Sequence, residues 1–306
     1  MFYRIKDSLR RVQFKHESRR ILKSPPVALD SSSSAIVFSQ IPHKDIMMYL
    51  VALKSFVRYM PVKGVHLLND GSLTEEDKAL LRDYIPRLVL YELTDFRSAA
   101  CPQGGTWERL LGIAELVQDN YVIQLDSDTL TVSEIEEVTG CVRSDSSFTL
   151  GTWDNQTFEA MSDRAIKAKR IIAGQYRSHI QVLAEANMDK LSGYEAARYV
   201  RGCSGFAGFS HRSFSRDKVE NLSREMYAVL GSEWNMWGSE QFSSNVIVAN
   251  SASALVLPHP KYCACNRVQT ETAFIHFIGS CRFSAGMYAR LARRVIDQLD
   301  SHEQVP

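Results

Sequence analysis

The stretch Tyr121–Val132, "YVIQLDSDTLTV", decides how this chain is read. Residues 121–125 have the length and apolar character of a buried β-strand, and two carboxylates, Asp126 and Asp128, follow at once with Ser127 between them. In extended backbone, residues two apart point to the same side, so the spacing predicts that both acids aim at one point. Paired carboxylate oxygens suit a hard divalent cation such as Mg2+ or Mn2+, which commonly sits on phosphate oxygens. The plainer alternative is one Asp capping the next turn while the other is solvated. Three features weigh against it: the buried strand before the motif, its depth in the chain, and a second candidate ligand in "AFIHFIGSCRF" at 273–283, His276. An imidazole beside two carboxylates favours Mn2+ or another transition ion over Ca2+. Alone, a histidine after an apolar run is a core residue; its pairing with Asp126 and Asp128 gives it a functional reading.

Upstream of the motif, strands and helices alternate. "AIVFS" at 35–39 reads as a strand, and Ile46, Leu50, Leu53, Val57 and Met60 keep helical spacing after it. "VHLLN" at 65–69 is a second strand, "LTEEDKALLRDYI" at 73–85 a helix, "RLVLYE" at 87–92 a third strand and "WERLLGIAELV" at 107–117 another helix. Thr74 with Asp77 forms a capping-box pattern, and three acids in that first turn suit the positive end of the helix dipole. Such alternation predicts an α/β fold with a mainly parallel sheet covered on both faces. Ligands of open sheets gather beyond the carboxyl ends of the strands, where Ser39, Asp70, Asp126 and Asp128 are expected to share a rim.

The composition, 306 residues with 45% hydrophobic and 23% charged, is that of a globular protein able to bury a full core. The longest apolar runs fall short of the roughly 20 residues of a spanning helix, and the charged first twenty residues do not make a signal peptide. A reducing cytoplasm is the expected location. The cysteines at 101, 141, 203, 263, 265 and 281 have neither disulfide-scaffold density nor zinc spacing, so they are expected to be reduced thiols. Net charge is +1, yet residues 1–23 carry +6 and the remainder −5. Phe2, Ile5, Leu9 and Val12 line one face of a helix there, which predicts either a helix packed on the domain or peripheral contact with an anionic membrane at its inner face. "KSPPVALDSSSS" at 23–34 reads as a linker. The expected organisation is 1–34 as basic segment and linker, 35–283 as the main domain and 284–306 as a C-terminal helix.

Together, "NDGS" at 69–72, "WERLLGIAEL" and "VIQLDSDTL", the glycine-rich "RGCSGFAGF" at 201–209 and "HFIGSCRF" at 276–283 resemble, in order, the GT-A fold glycosyltransferases that use nucleotide sugars and a DxD motif. The resemblance implies a metal held by Asp126, Asp128 and His276, with Asp126 also on the donor ribose and Ser127 beside it. It implies a nucleobase pocket at Ser39 and Asp70, a diphosphate or Asp-orienting group at Arg109, and backbone approach to the donor sugar along 202–208, centred on Gly205. Glu240 and Gln241 fall in the acidic segment under the acceptor, and Asp154 is a further carboxylate able to act as base. The family's late lysine and Pro-Trp are replaced here by Arg282 and Phe283, and its Asp before Gln by Glu240. An arginine still meets phosphate, bidentately. The implied activity is metal-dependent transfer from a nucleotide sugar, UDP-linked as is commonest, to a hydroxyl acceptor, with retention favoured by the late His and "EQ". The acceptor, whether glycan, lipid-linked or protein, is left open, and no nucleic acid is expected.

Two other classes compete. A phosphatase of the haloacid-dehalogenase type also ends a strand in Asp-x-Asp, but opens its domain with it, whereas here three predicted strands precede it. A non-catalytic scaffold of the same fold binds a partner without turnover and has no need of the intact acid pair and His276.

Overall fold

The computed structural model describes residues 2–174, 178–279 and 281–301, with side chains from residue 8 onward. Its strands are β1 (Ala35–Ile41), β2 (Gly64–Asn69), β3 (Val89–Glu92), β4 (Tyr121–Leu125), β5 (Thr129–Thr131), β6 (Ser147–Leu150), β7 (Glu159–Ala160), β8 (Arg198–Tyr199), β9 (Cys203–Phe209), β10 (Ala254–Leu257), β11 (Tyr262–Ala264) and β12 (Phe274–His276). The α-helices are α1 (Phe2–Ser18), α2 (Ile46–Val57), α3 (Glu75–Tyr84), α4 (Trp107–Leu116), α5 (Glu136–Arg143), α6 (Met161–Ala173), α7 (Ile180–Asn187), α8 (Arg216–Leu230), α9 (Ser239–Ala249) and α10 (Met287–Asp300). Seven strands form one mainly parallel sheet in the order β10-β6-β9-β4-β1-β2-β3, in which β9 runs antiparallel to β6. The α/β class and the alternation upstream of the motif are as the sequence predicts. The third strand starts two residues later than expected, because Arg87 adopts φ 55°, a left-handed turn conformation that a strand cannot contain. Thr74 and Asp77 close the expected capping box on α3.

The chain divides into two compact units, 1–91 with 123–140 and 259–306, and 92–122 with 141–258. In the first unit, β1 and β2 pair in parallel and α2 is buried along nearly its whole length, from Ile46 to Val57. Residues 25–30 have no regular secondary structure and lie within this unit, pinned to it: Lys54 donates to Ser24 Oγ at 2.8 Å and to Pro25 O at 2.8 Å, and Val27 N donates to Tyr84 O. A small sheet, β11-β12-β5, belongs to the same unit. α1 packs on α10 through Phe14, which the expected apolar stripe did not include; Leu9 and Val12 of that stripe are exposed, and the side chains of Phe2 and Ile5 lie outside the described residues.

In the second unit, β6 pairs with β9 and β10, and Trp107, Trp234, Phe148, Phe206 and Phe209 fill the interior. The glycines of the 201–209 segment serve this packing. A Cβ on Gly208 would lie 2.2 Å from the Phe148 ring and 2.5 Å from the Tyr121 hydroxyl, and one on Gly202 would lie 2.1 Å from Thr149 Oγ1. At these two positions the close neighbours are the protein's own side chains, which by itself requires glycine there.

One further expectation is overturned. Cys265 and Cys281 form a disulfide across 16 positions of sequence, with Cα atoms 5.8 Å apart, so the six cysteines are not all reduced thiols. No helix among the described residues is long and apolar enough to cross a membrane.

Candidate functional site

Three ligand-type side chains converge in the first unit because of how β5 pairs. β12 runs antiparallel to β5 with His276 opposite Thr129, the residue after Asp128, and Phe277 N donates to Asp128 O at 2.7 Å. A residue 148 positions away in sequence is thereby fixed beside the acid pair. The acids themselves are not in extended backbone: β4 ends at Leu125, residues 127–128 form a turn closed by Thr129 Oγ1 donating to Asp126 O at 2.9 Å, and this turn brings the carboxylates together. His276 Nε2 lies 3.3 Å from Asp128 Oδ1 and 4.0 Å from Asp126 Oδ2, and one ligand atom from each of the three lies within 4.8 Å of the others. The two separations from His276, 3.3 and 4.0 Å, lie within the roughly 4.4 Å that two atoms can span when each sits about 2.0–2.2 Å from one shared cation.

Arg282 completes the cluster. Its Nε donates to Phe277 O at 3.0 Å and its Nη2 to Asp128 Oδ2, which leaves Oδ1 as the oxygen turned toward His276. Burial by itself pushes the Asp128 carboxyl up, but His276 and the Arg282 guanidinium together outweigh it and hold the group below the usual carboxylate range. Asp128 is 6% exposed, whereas the Asp126 side chain, at 27%, keeps a solvent-facing edge. Asp45, just beyond β1, has its carboxyl raised, chiefly by burial, and it feels Arg282 and Asp128 as neighbours. Tyr288 of α10 reaches Ser127 O at 3.5 Å beneath the turn.

Of the other rim residues, Ser39 is fully buried and donates to Leu125 O at 2.6 Å, tying β1 to the end of β4 that carries the motif. Asp70 accepts from Ser72 N and Ser72 Oγ in a tight turn made possible by Gly71 at φ +96°.

The second unit holds the remaining candidates, which pair with one another. Arg109 and Glu240 are 3% and 2% exposed and face each other at 3.6 Å; Arg109 also donates to Ser204 O, and Glu240 accepts from Thr106 Oγ1 at 2.9 Å. Gln241 accepts from Ser204 Oγ at 3.3 Å and donates to Gln181 Oε1 at 3.2 Å. Gln181 leads on to the Tyr199 hydroxyl and so to Glu185, a fully buried carboxylate gripped by both Arg164 and Arg201. Gly205 is buried within β9, and Asp154 stands on an exposed loop.

No family model matches the chain, and no curated protein matches it in sequence. Among solved structures, the glycosyltransferase GlyE of Streptococcus pneumoniae TIGR4 aligns over 90% of this chain and 65% of its own, with a TM-score of 0.50 at 14% identity. The fold is that of GT-A glycosyltransferases. The WbbM bifunctional glycosyltransferase aligns over 81% of this chain at 11% identity (TM-score 0.48), and the galactosyltransferase LgtC over 89% at 13% (TM-score 0.45). This chain spans 46% of the WbbM chain and 97% of the LgtC chain.

Within this GT-A fold, the metal triad of the sequence reading comes together as a unit, and so do Arg109 with Glu240. Sequence reasoning missed Asp45 and the Gln181–Glu185–Arg164–Arg201 network. Asp45 stands just before Ile46, where the helical spacing begins, and nothing in that spacing marks it as a neighbour of the acid pair. Gln181 and Glu185 share one face of α7 at i, i+4, but nothing in that spacing names Arg164 of α6 or Arg201 after β8 as their partners.

Proposed function

We propose that the chain is a metal-dependent glycosyltransferase that moves a sugar from a nucleotide sugar, taken to be a UDP-sugar, to a hydroxyl acceptor. The observation that carries this reading is the convergence of Asp126, Asp128 and His276 within ligand distance of one another at the end of β4 of a GT-A sheet. Two carboxylates and an imidazole suit Mn2+ better than Ca2+, with Mg2+ the oxygen-preferring alternative. When bound there, the ion supplies Lewis-acid neutralisation of the charge that builds on a departing diphosphate.

The chain's own groups do the rest. Arg282 holds the Asp128 carboxylate in one orientation and brings a fixed positive charge to the same place, suited to a phosphate oxygen. Asp126, with its solvent-facing edge, is positioned to meet a ribose hydroxyl, and the backbone of Ser127 is held between the two acids. Ser39 keeps the end of β4 in register, and Asp70 offers its turn to the nucleobase. In the second unit, Arg109 sets the charge and direction of Glu240, and Gln181 and Ser204 orient the Gln241 amide beside β9 and Gly205. Glu240, Gln241 and, from its loop, Asp154 are the groups assigned to the reacting sugar and acceptor. With the Gln241 amide rather than a free base at the centre of that network, retention of configuration is the stereochemistry this reading favours. The catalytic domain is 35–283, flanked by 1–34 and 284–306. The reading also includes a cytoplasmic location with peripheral membrane contact through residues 1–23.

A thermal-shift screen of UDP- and GDP-sugars with and without Mn2+ tests the assignment, since a ligand that binds only the folded state stabilises it by RT ln(1 + [L]/Kd). The expected result is a Mn2+-dependent shift with UDP-sugars. In His276→Ala that shift shrinks more with Mn2+ than with Mg2+. No shift with any nucleotide sugar, or an undiminished Mn2+ effect in His276→Ala, removes the metal site and with it the reading.

A further inference from the structure

The contact between α1 and α10 uses one side of α1. Phe14 meets the Tyr288 ring at 4.1 Å and the Phe283 ring at 5.8 Å, Glu17 pairs with Arg293, and Arg20 with Asp297. At 3.6 residues per turn, Leu9 and Val12 fall on the opposite side of the helix. Each is 64% exposed. Lys15 and Arg19 border this pair and are themselves exposed, whereas Arg11 lies over the Phe283 ring on the packed side; α10 adds the exposed Arg290 and Arg294 to the same helix pair. The arrangement reverses what an amphipathic surface helix does for its own domain: the side with Phe14 is spent on the core, and a second apolar stripe is left pointing outward among cations.

We propose that the outward face of α1 docks on an anionic lipid bilayer, with Leu9 and Val12 entering the interfacial layer and the surrounding arginines and lysines meeting headgroup phosphates. Charge selects this occupant. Residues 1–23 carry +6, so a second copy placed face to face would bring two like-charged stripes together. A nucleic-acid backbone would satisfy the cations but give the two apolar side chains no apolar medium. The inference deepens the peripheral membrane contact proposed above, naming the face and the lipid charge, and stands on α1 and α10 without needing the transferase reading.

Co-sedimentation of the full chain with vesicles of phosphatidylcholine alone, or mixed with phosphatidylglycerol, tests it. Binding is expected only to the anionic vesicles and weakens as salt rises. Leu9→Asp with Val12→Asp, and separately Lys15→Glu with Arg19→Glu, should each weaken binding by about tenfold or more. All four residues are exposed, so unchanged melting temperatures separate lost docking from lost fold. Asp128→Asn should bind vesicles as the wild type does, which keeps this inference apart from the metal site. Three outcomes overturn it: no preference for anionic vesicles, binding that ignores both double variants, or a Leu9- and Val12-dependent dimer or DNA complex in place of vesicle binding.

Discussion

Asp128 has two partners of opposite consequence: through Oδ1 it faces His276 and the proposed metal position, and through Oδ2 it holds Arg282. A substitution there therefore costs more than a ligand. Asp128→Asn should abolish Mn2+ binding in calorimetric titration and also lower the unfolding free energy of the metal-free protein by about 1–3 kcal/mol, because a largely buried guanidinium loses its counter-charge. The larger figure for a fully buried pair is discounted because the Arg282 side chain is 28% exposed. Metal loss with an unchanged urea midpoint would show that Arg282 has another anchor. From sequence, the carboxylate pair was legible because it follows an apolar strand at once, and His276 because it interrupts an apolar run. The pairing of Asp128 with Arg282 was not, since an arginine in a loop announces no partner; nor was the turn at 127–128, for which strand periodicity was the wrong geometry.

At the scale of elements, the site is made by strand pairing and held by polar networks behind it. The three-residue ladder of β12 on β5 carries His276 to Asp128, and no local propensity in either short strand specifies that pairing. The ordered β–α units before the motif were readable, because burial on both faces imposes long apolar runs on parallel strands. The second unit was readable only in fragments. Its central feature, Glu185 between Arg164 and Arg201, joins α6, α7 and the segment after β8. Glu185→Gln keeps the shape but leaves two arginines short of a counter-charge, so a loss of about 3–5 kcal/mol in the urea unfolding free energy is expected. Because the network continues through Tyr199 and Gln181 to Gln241, a donor-dependent signal should suffer as well, even where the folded fraction is restored by cooling. A loss below about 1 kcal/mol would mean that the arginines find water or other acceptors.

Across the whole molecule, proton binding should weaken the fold from below neutral pH. Burial drives the His66 imidazole down to about 4 from an ordinary 6.5, so the unfolded chain takes up that proton first. Stability due to its neutral form is fully present above pH 6.5 and drains away as pH falls toward 4, by about 2 kcal/mol once partial exposure is discounted. Asp77, Asp128 and Glu137 are held low despite burial, by His43, by His276 with Arg282, and by Lys261 with Tyr262 respectively. Their contribution is present above the ordinary carboxylate range and is lost at still lower pH, as each protonates in the folded state. Urea midpoints measured from pH 8 to pH 3.5 should thus decline in two stages, and His66→Phe should flatten the upper one alone. A single stage in the wild type would leave His66 without the role its burial implies. The uneven charge of the chain was visible in the sequence. Which side of the first helix faces outward was not, because Phe14 and the Leu9–Val12 pair are equally apolar on paper.

The Cys265–Cys281 bond closes a ring around β12, and within it or at its edge lie His276, Phe277 and Arg282. Cys265 N also donates to His276 O at 3.0 Å, so the ring is stitched to the ligand residue as well as drawn around it. A closure of this length restrains the unfolded chain by about 3 kcal/mol. Two electrons and two protons are enough to open it, with no change elsewhere in the chain. The segment that supplies the imidazole and the guanidinium then loses its covalent closure and is held by the short ladders of β12 on β5 and β11, by backbone bonds and by the pair of Arg282 with Asp128. Thiol concentration thereby becomes a variable of the binding pocket, and the same polypeptide has two grades of rigidity there, set by the redox potential around it.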